Sequence, residues 1–420
     1  MKTTALRLYG KEDLRLEKFE LPEIKSDEIL AEVVTDSICM SSWKEAKIAS
    51  DHKKVPNDIA ENPIIVGHEF CGRIVKVGDK WKDKFEEGSK FAIQPNLQLP
   101  DRPDCPGYSF PYIGGDATYV VIPKEVMEHD CLLEYNGETY FEGSLLEPLS
   151  CVIGGFNANY HLIEGTYDHK MGIKEGGNLL IMGGTGPMGL LQIDYALHGP
   201  INPKNLVVTD LTDEKLQAAA KLYSPEDAKK DGINLHYVNV SKQEDQVAYL
   251  QSFVDNESYD DIFVLVPVKP VLTQASTLLA KDGCLNFFAG PRDKNFSAEI
   301  NLYDVHYNFT HYVGTSGGNT DDMRAAIKLV EERKVKVEKV VSHLLGLNAV
   351  ADTTLNLPSI PGGKKLIYTH KNMPRKSLEE IVTGDHSDSF YAGLKEVLVQ
   401  NNGLWSKAAE QYVLTYGEGI

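Results

Sequence analysis

Cysteine is scarce. Six residues, Cys39, Cys71, Cys105, Cys131, Cys151 and Cys284, are spread over 420 positions with no C-x-x-C pair. That spacing argues against a disulfide framework and for free thiols in a reducing compartment. Long apolar runs are missing too: none reaches the roughly 20 residues needed to cross a bilayer. The opening stretch MKTTALRLYGKEDLRLEKFE alternates like a strand and is charged throughout. It is therefore not expected to be an export signal, and a cytoplasmic location is expected. Positive charge is also short. With 61 acidic and 43 basic residues the formal charge is −18, which argues against nucleic acid as a partner. A small anionic substrate is not excluded, because a few local Lys or Arg side chains can outvote the mean field. A small molecule, with neither membrane nor nucleic acid, is the expected partner.

At 42% hydrophobic and 25% charged the composition is that of a globular protein, and the length allows two domains with their own cores. Up to about residue 150 the pattern is strands and turns: EILAEVVTDSI, PIIVGHEFCGRIVKVG, KFAIQP, DATYVVIP. Gly and Pro punctuate them, as in an antiparallel or barrel-like region. SLLEPLSCVIGGFNANYHL then predicts a helix with Glu147 and Pro148 near its start. Apolar β runs at NLLIM, LVVTD, IFVLVP and CLNFFAG follow, alternating with helical stretches, the signature of a doubly wound parallel sheet. The fold class expected is α/β, with domain limits at 1–155, 156–303 and a return to the first domain over 304–420.

The segment G-T-G-P-M-G, Gly184 to Gly189 with Gly186, Pro187 and Met188 inside it, follows an apolar strand and opens a helix. Glycines there permit a tight turn and close approach of a pyrophosphate to free N–H groups at the helix start. Asp210 ends the next strand, placed to accept hydrogen bonds from adenosine ribose hydroxyls. Its charge would repel a 2′-phosphate, which favours NAD(H) over NADP(H), and Lys215 could support the same ribose. In front of this unit lie three spaced polar positions at element ends: Cys39 in ICMSSWK, His68 and Glu69 in GHE, and Glu147 in EPLS. Thiolate, imidazole and carboxylate are the ligands zinc favours.

The motif order, a Cys ending a strand, a GHE turn, an EP helix and GxGxxG, resembles the zinc-dependent medium-chain dehydrogenase/reductase family over residues up to about 370. The resemblance implies a GroES-like catalytic domain joined to a Rossmann domain. It also implies zinc ligation by Cys39 and His68, with Glu69 as ligand or exchanging partner and Glu147 bound directly or through water. Dimers or tetramers are common in that family. Two departures stand out. The stretch that often carries four cysteines for a structural zinc holds only Cys105, so one catalytic ion and no structural zinc are expected. CMSSWK replaces the usual CGSDxH or CGTDxH, keeping a relay hydroxyl at Ser41 but putting Lys44 in place of His. Within the family the tail and these departures most resemble the L-sorbose-1-phosphate reductases. The expected reaction is hydride transfer between a ketose, phosphorylated or not, and its polyol. If phosphate is present, Lys44 and then Arg102 are the cations expected to meet it. The rival readings are a zinc-free quinone-type reductase and a catalytically silent dinucleotide sensor.

Overall fold

The β-branched run Ile29–Ile38 forms a ten-residue strand on which the first part of the molecule is built. Along one edge it bonds antiparallel to Cys71–Val77. Along the other it bonds first to Tyr119–Ile122, opposite Ile29–Glu32, and then to Lys364–Tyr368, opposite Thr35–Ile38. Sharing one edge between two strands curls the sheet, as the barrel-like pattern of turns led us to expect. Lys90–Ile93 and Leu132–Glu134 extend it on one side, Val341–Gly346 and Lys376–Ser377 on the other. A hairpin of Lys2–Gly10 and Asp13–Glu20, joined by Ile64–Ile65, makes a separate three-stranded sheet. Alternate side chains of Ile29–Val33 enter a core with Phe70, Phe91 and Val120, while Ile38 and Trp43 enter another with Leu6, Ile64 and Ile367.

This computed structural model describes residues 1–255 and 257–420. They fall into two compact units, one of Met1–Pro148, Asn319–Glu331 and Val337–Ile420, the other of Leu149–Gly318 and Glu332–Lys336. The second unit is a six-stranded parallel sheet in the spatial order Asn234–Asn239, Asn205–Asp210, Asn178–Met182, Tyr259–Val264, Leu279–Phe287, His311–Val313. The first strand in sequence lies in the middle and the order reverses beside it. That is the doubly wound Rossmann arrangement, in which the crevice at the strands' carboxyl ends takes the ligand. The fold class read from the sequence is thus present: a β-rich GroES-like unit and a Rossmann unit.

Candidate metal centre and dinucleotide loop

Ile29–Ile38 delivers three site residues in succession. It carries Asp36 and Ser37 and runs straight into Cys39, which caps the helix Met40–Ile48 from an extended backbone (φ −104°, ψ 152°). The GHE turn meets this corner because Gly67 adopts φ +90°, in the left-handed region open to glycine. A Cβ at Gly67 would collide with the Asp36 carboxylate and stand 2.7 Å from the Asp116 amide. His68 and Glu69 consequently turn inward and are buried, at 5% and 0% exposure. One ligand atom from each of Cys39, His68 and Glu69 lies within 4.8 Å of the other two. The three donors that sequence reasoning proposed from separate segments are brought together.

Burial holds the His68 imidazolium well below its usual range, at about 3, with Lys364, Lys54 and His52 acting the same way. The ring is neutral at physiological pH and has a lone pair to give. Burial and the Glu69 charge push the Cys39 thiol up to about 11, against an opposing pull from Lys364. A thiolate there needs a compensating cation close by. Thiol sulfur, neutral imidazole and carboxylate therefore fit Zn²⁺.

Sequence reasoning missed what holds Glu69. Its two carboxylate oxygens accept hydrogen bonds from the buried Lys364 ammonium at 2.5 Å, and Ser37 Oγ donates to one of them. The Glu69 amide donates to Asp36 Oδ1 at 3.0 Å. Asp36 and Asp116 form a buried acid pair beneath the turn; burial raises both, Asp116 to about 8. The signal for Lys364 was two lysines, Lys364 and Lys365, heading an apolar strand.

Around His68 the hydroxyls of Ser41 and Tyr108 approach Nε2 at 3.2 and 3.5 Å, and that of Ser42 approaches Nδ1 at 3.5 Å. Ser41 is thus beside the candidate centre, as its place in CMSSWK predicted. Glu147, in the first turn of the helix Leu146–Ala158, is buried and close enough to act electrostatically on Cys39 and Lys364, but it does not join the three-donor group. Lys44 is half-buried on the helix Met40–Ile48. Arg102 is 48% exposed and already bound to Asp104 at 3.0 Å and Glu125 at 2.8 Å, an ordinary surface ion pair.

In the Rossmann unit the strand Asn178–Met182 turns at Gly183 (φ +76°) and Gly184 into the helix Pro187–His198. A Cβ on Gly189 would stand 2.6 Å from Gly184 Cα, so the third glycine of the motif is a packing requirement. A Cβ on Gly186 would meet nothing within 4 Å, so this position leaves room for a ligand. Gly186 caps the helix without a side-chain acceptor, leaving the first amides free for an anion. Pro187 and Met188 form the first turn, half-buried. Asp210 closes the loop: its carboxylate accepts hydrogen bonds from Thr185 Oγ1 and, at 2.7 Å, from the Leu211 amide. Lys215 is exposed on the helix Asp213–Leu222. Open glycine, free amides and a fixed acid fit a dinucleotide.

Comparison with known proteins agrees. Residues 25–129 match the alcohol dehydrogenase GroES-like domain and residues 187–332 the zinc-binding dehydrogenase model. The chain is 60% identical over 418 residues to L-sorbose 1-phosphate reductase of Klebsiella pneumoniae, covering 100% of this chain and 98% of that one. It is 45% identical over 414 residues to mannitol-1-phosphate 5-dehydrogenase of Aliivibrio fischeri, covering 99% and 98%. A zinc-binding dehydrogenase of Sinorhizobium meliloti solved with NADP superposes with a TM-score of 0.70 at 19% identity, over 88% of this chain and 100% of that one. Matched over its whole length by a close relative and in both its domains by family models, this chain belongs to the zinc-dependent medium-chain dehydrogenase/reductase family.

Proposed function

We propose that the chain is an NAD(H)-linked reductase that interconverts a ketose phosphate of the L-sorbose 1-phosphate type with the corresponding polyol phosphate, using one catalytic zinc ion. The observation that carries the reading is the Cys39, His68 and Glu69 group in a chain whose GTGPMG loop is locked to Asp210. The phosphate is supported by the names of the two full-length relatives, both of which specify sugar phosphates.

Cys39 and His68 would hold the zinc, with Glu69 and Glu147 as carboxylate ligands or exchanging partners. When bound, the ion supplies Lewis-acid stabilisation of negative charge on the reacting oxygen as hydride is transferred. Lys364 and Ser37 keep the Glu69 carboxylate oriented, so its charge is set by the fold. The neutral His68 ring is fixed by the three hydroxyls around it. Ser41 is the group that passes a proton between the substrate oxygen and solvent, because its Oγ sits beside the His68 ring. Lys44, one turn further along the same helix, is the candidate for the outer end of that path. Asp210 accepts the ribose hydroxyls and disfavours a 2′-phosphate, which supports NAD(H) for this chain; Lys215 has the same ribose within its assignment.

The experiment is NADH oxidation by the purified protein with L-sorbose 1-phosphate, run beside free L-sorbose. A kcat/KM for the ester at least about tenfold higher is expected from one charge-assisted contact to phosphate. Equal turnover of both sugars would replace this reading with a general polyol dehydrogenase.

A further inference from the structure

Lys54 is a half-buried cation beside the candidate metal centre to which no role has been given. Its backbone is pinned on both sides: its carbonyl accepts from Ser109 Oγ at 2.6 Å, and its amide donates to His52 Nδ1 at 3.3 Å. Ser109 Oγ in turn accepts from the Cys105 amide at 3.0 Å, so the segment is tied to the remodelled lobe. The ammonium stands 5.0 Å from the centroid of the Tyr108 ring and takes part in no ion pair within 4 Å among the described residues. The same ring packs against His68, centroids 4.9 Å apart, and is stacked on His52 at 5.5 Å and 19°. The ammonium has no carboxylate partner among the described residues and donates a hydrogen bond to the Cys105 thiol of the remodelled lobe. One aromatic ring thus lies between the candidate metal ligand and this ammonium.

That separation suits a particular substrate. In a ketose 1-phosphate the ester oxygen is attached to the carbon next to the carbonyl, so the phosphate cannot stray far from the reacting oxygen. The other nearby cations are otherwise engaged or differently placed: Lys364 is bound to Glu69, Arg102 to two surface acids, and Lys53 is exposed. The buried acid on which Lys54 acts electrostatically is Glu45, with neither oxygen hydrogen-bonded in the structure. Burial raises its carboxyl well above the usual range, against the pull of Lys54.

We propose that Lys54, braced on the Tyr108 ring, is the anchor for the phosphate of the substrate. This rests on the reading of the chain as a sugar-phosphate reductase and names the residue that confers that specificity. Lys54 is a specificity determinant, not a proton donor, and its ammonium acts as a point charge on a restrained stem.

The test compares kcat/KM for L-sorbose 1-phosphate and for L-sorbose, with NADH, in the zinc-loaded full-length protein and its K54M, K54R, K44M and K53M variants. The ratio of the two constants is expected to fall about 10- to 100-fold in K54M, the worth of one hydrogen bond to a charged group. K54R should restore part of it, and K53M should keep the wild-type ratio. Independently of turnover, the rise in melting temperature that the ester gives the wild type should be lost in K54M, with zinc content by metal analysis unchanged. Equal losses on both sugars in K54M would make Lys54 merely structural and overturn the assignment. So would a collapse of the ratio in K44M with none in K54M. A wild type that does not prefer the ester would instead remove the sugar-phosphate reading, and the anchor with it.

Discussion

Lys364 and Glu69 form an ion pair with both side chains almost wholly out of water, at 3% and 1% exposure. Burial alone lowers the lysine's pKa, yet Glu69 and Cys39 more than reverse this and raise it above the ordinary value. Removing one partner leaves the other charge buried and alone. Lys364→Met should therefore cost about 3–5 kcal/mol of stability, read by urea unfolding. Adding Glu69→Gln should recover part of that loss; two strictly additive losses would show that the pair is not coupled. At the glycine loop the charge proposed to select the cofactor is Asp210. Asp210→Asn keeps the shape that accepts from Thr185 and Leu211 but removes the repulsion of a 2′-phosphate. The preference for NADH over NADPH, as a ratio of kcat/KM, should drop by about tenfold or more. An unchanged ratio would place cofactor selection elsewhere.

At the scale of elements the three glycines of GTGPMG are not equivalent. Gly189→Ala forces a Cβ onto the Gly184 backbone and should destabilise the Rossmann unit. Gly186→Ala meets only open space and should leave the melting temperature near wild type while weakening NADH binding, measured by fluorescence titration. If both variants lose the same stability, Gly186 is a packing residue and not a ligand seat. This loop was legible in the sequence because strand, glycines and helix are contiguous and the acid follows on the next strand. The Cys39 corner, the GHE turn and the start of the EP helix were legible for the same reason, each being a local signature. Lys364 was not, since it reaches Glu69 across 295 positions of sequence and no local pattern encodes that pairing. Nor was the cradle of Ser37 and Asp36, because in an apolar strand two small polar residues read as ordinary edge positions. Arg102 drew attention by its place in the remodelled lobe; Asp104, two positions on, was visible as a partner, while Glu125 was not.

At the scale of the whole molecule, the tail after residue 370, left without a role by the sequence, folds as part of the catalytic unit. Helices Leu378–Thr383, Ser389–Gln400 and Lys407–Tyr416 complete it, and Trp405, 1% exposed, donates its indole N–H to the Tyr368 hydroxyl at 3.0 Å. Lys371 in turn donates to the Leu414 and Gly417 carbonyls at the end of the last helix. Glu410 also ties the tail to the barrel. Its carboxylate accepts from the Tyr140 and Phe141 amides at 2.7 and 2.8 Å and from the Tyr368 hydroxyl at 3.2 Å. Burial nevertheless outweighs these donors and pushes its pKa up to about 7, from an ordinary value of 4.5. Between those two values the folded state binds the Glu410 proton more tightly than the unfolded chain does. This contribution to stability is full below pH 4.5 and is lost as pH rises to about 7. The whole loss amounts to about 3 kcal/mol at most, on the order of the shift multiplied by the value of one pKa unit. Other groups titrate in the same window, so the wild-type profile by itself is not diagnostic. Glu410→Gln removes the ionisation and one backbone acceptor: it should be less stable than wild type at pH 5, and the gap should narrow towards pH 8. Parallel profiles for the two proteins, in urea unfolding from pH 5 to pH 8, would mean that Glu410 keeps an ordinary pKa and that the tail is held by its other contacts.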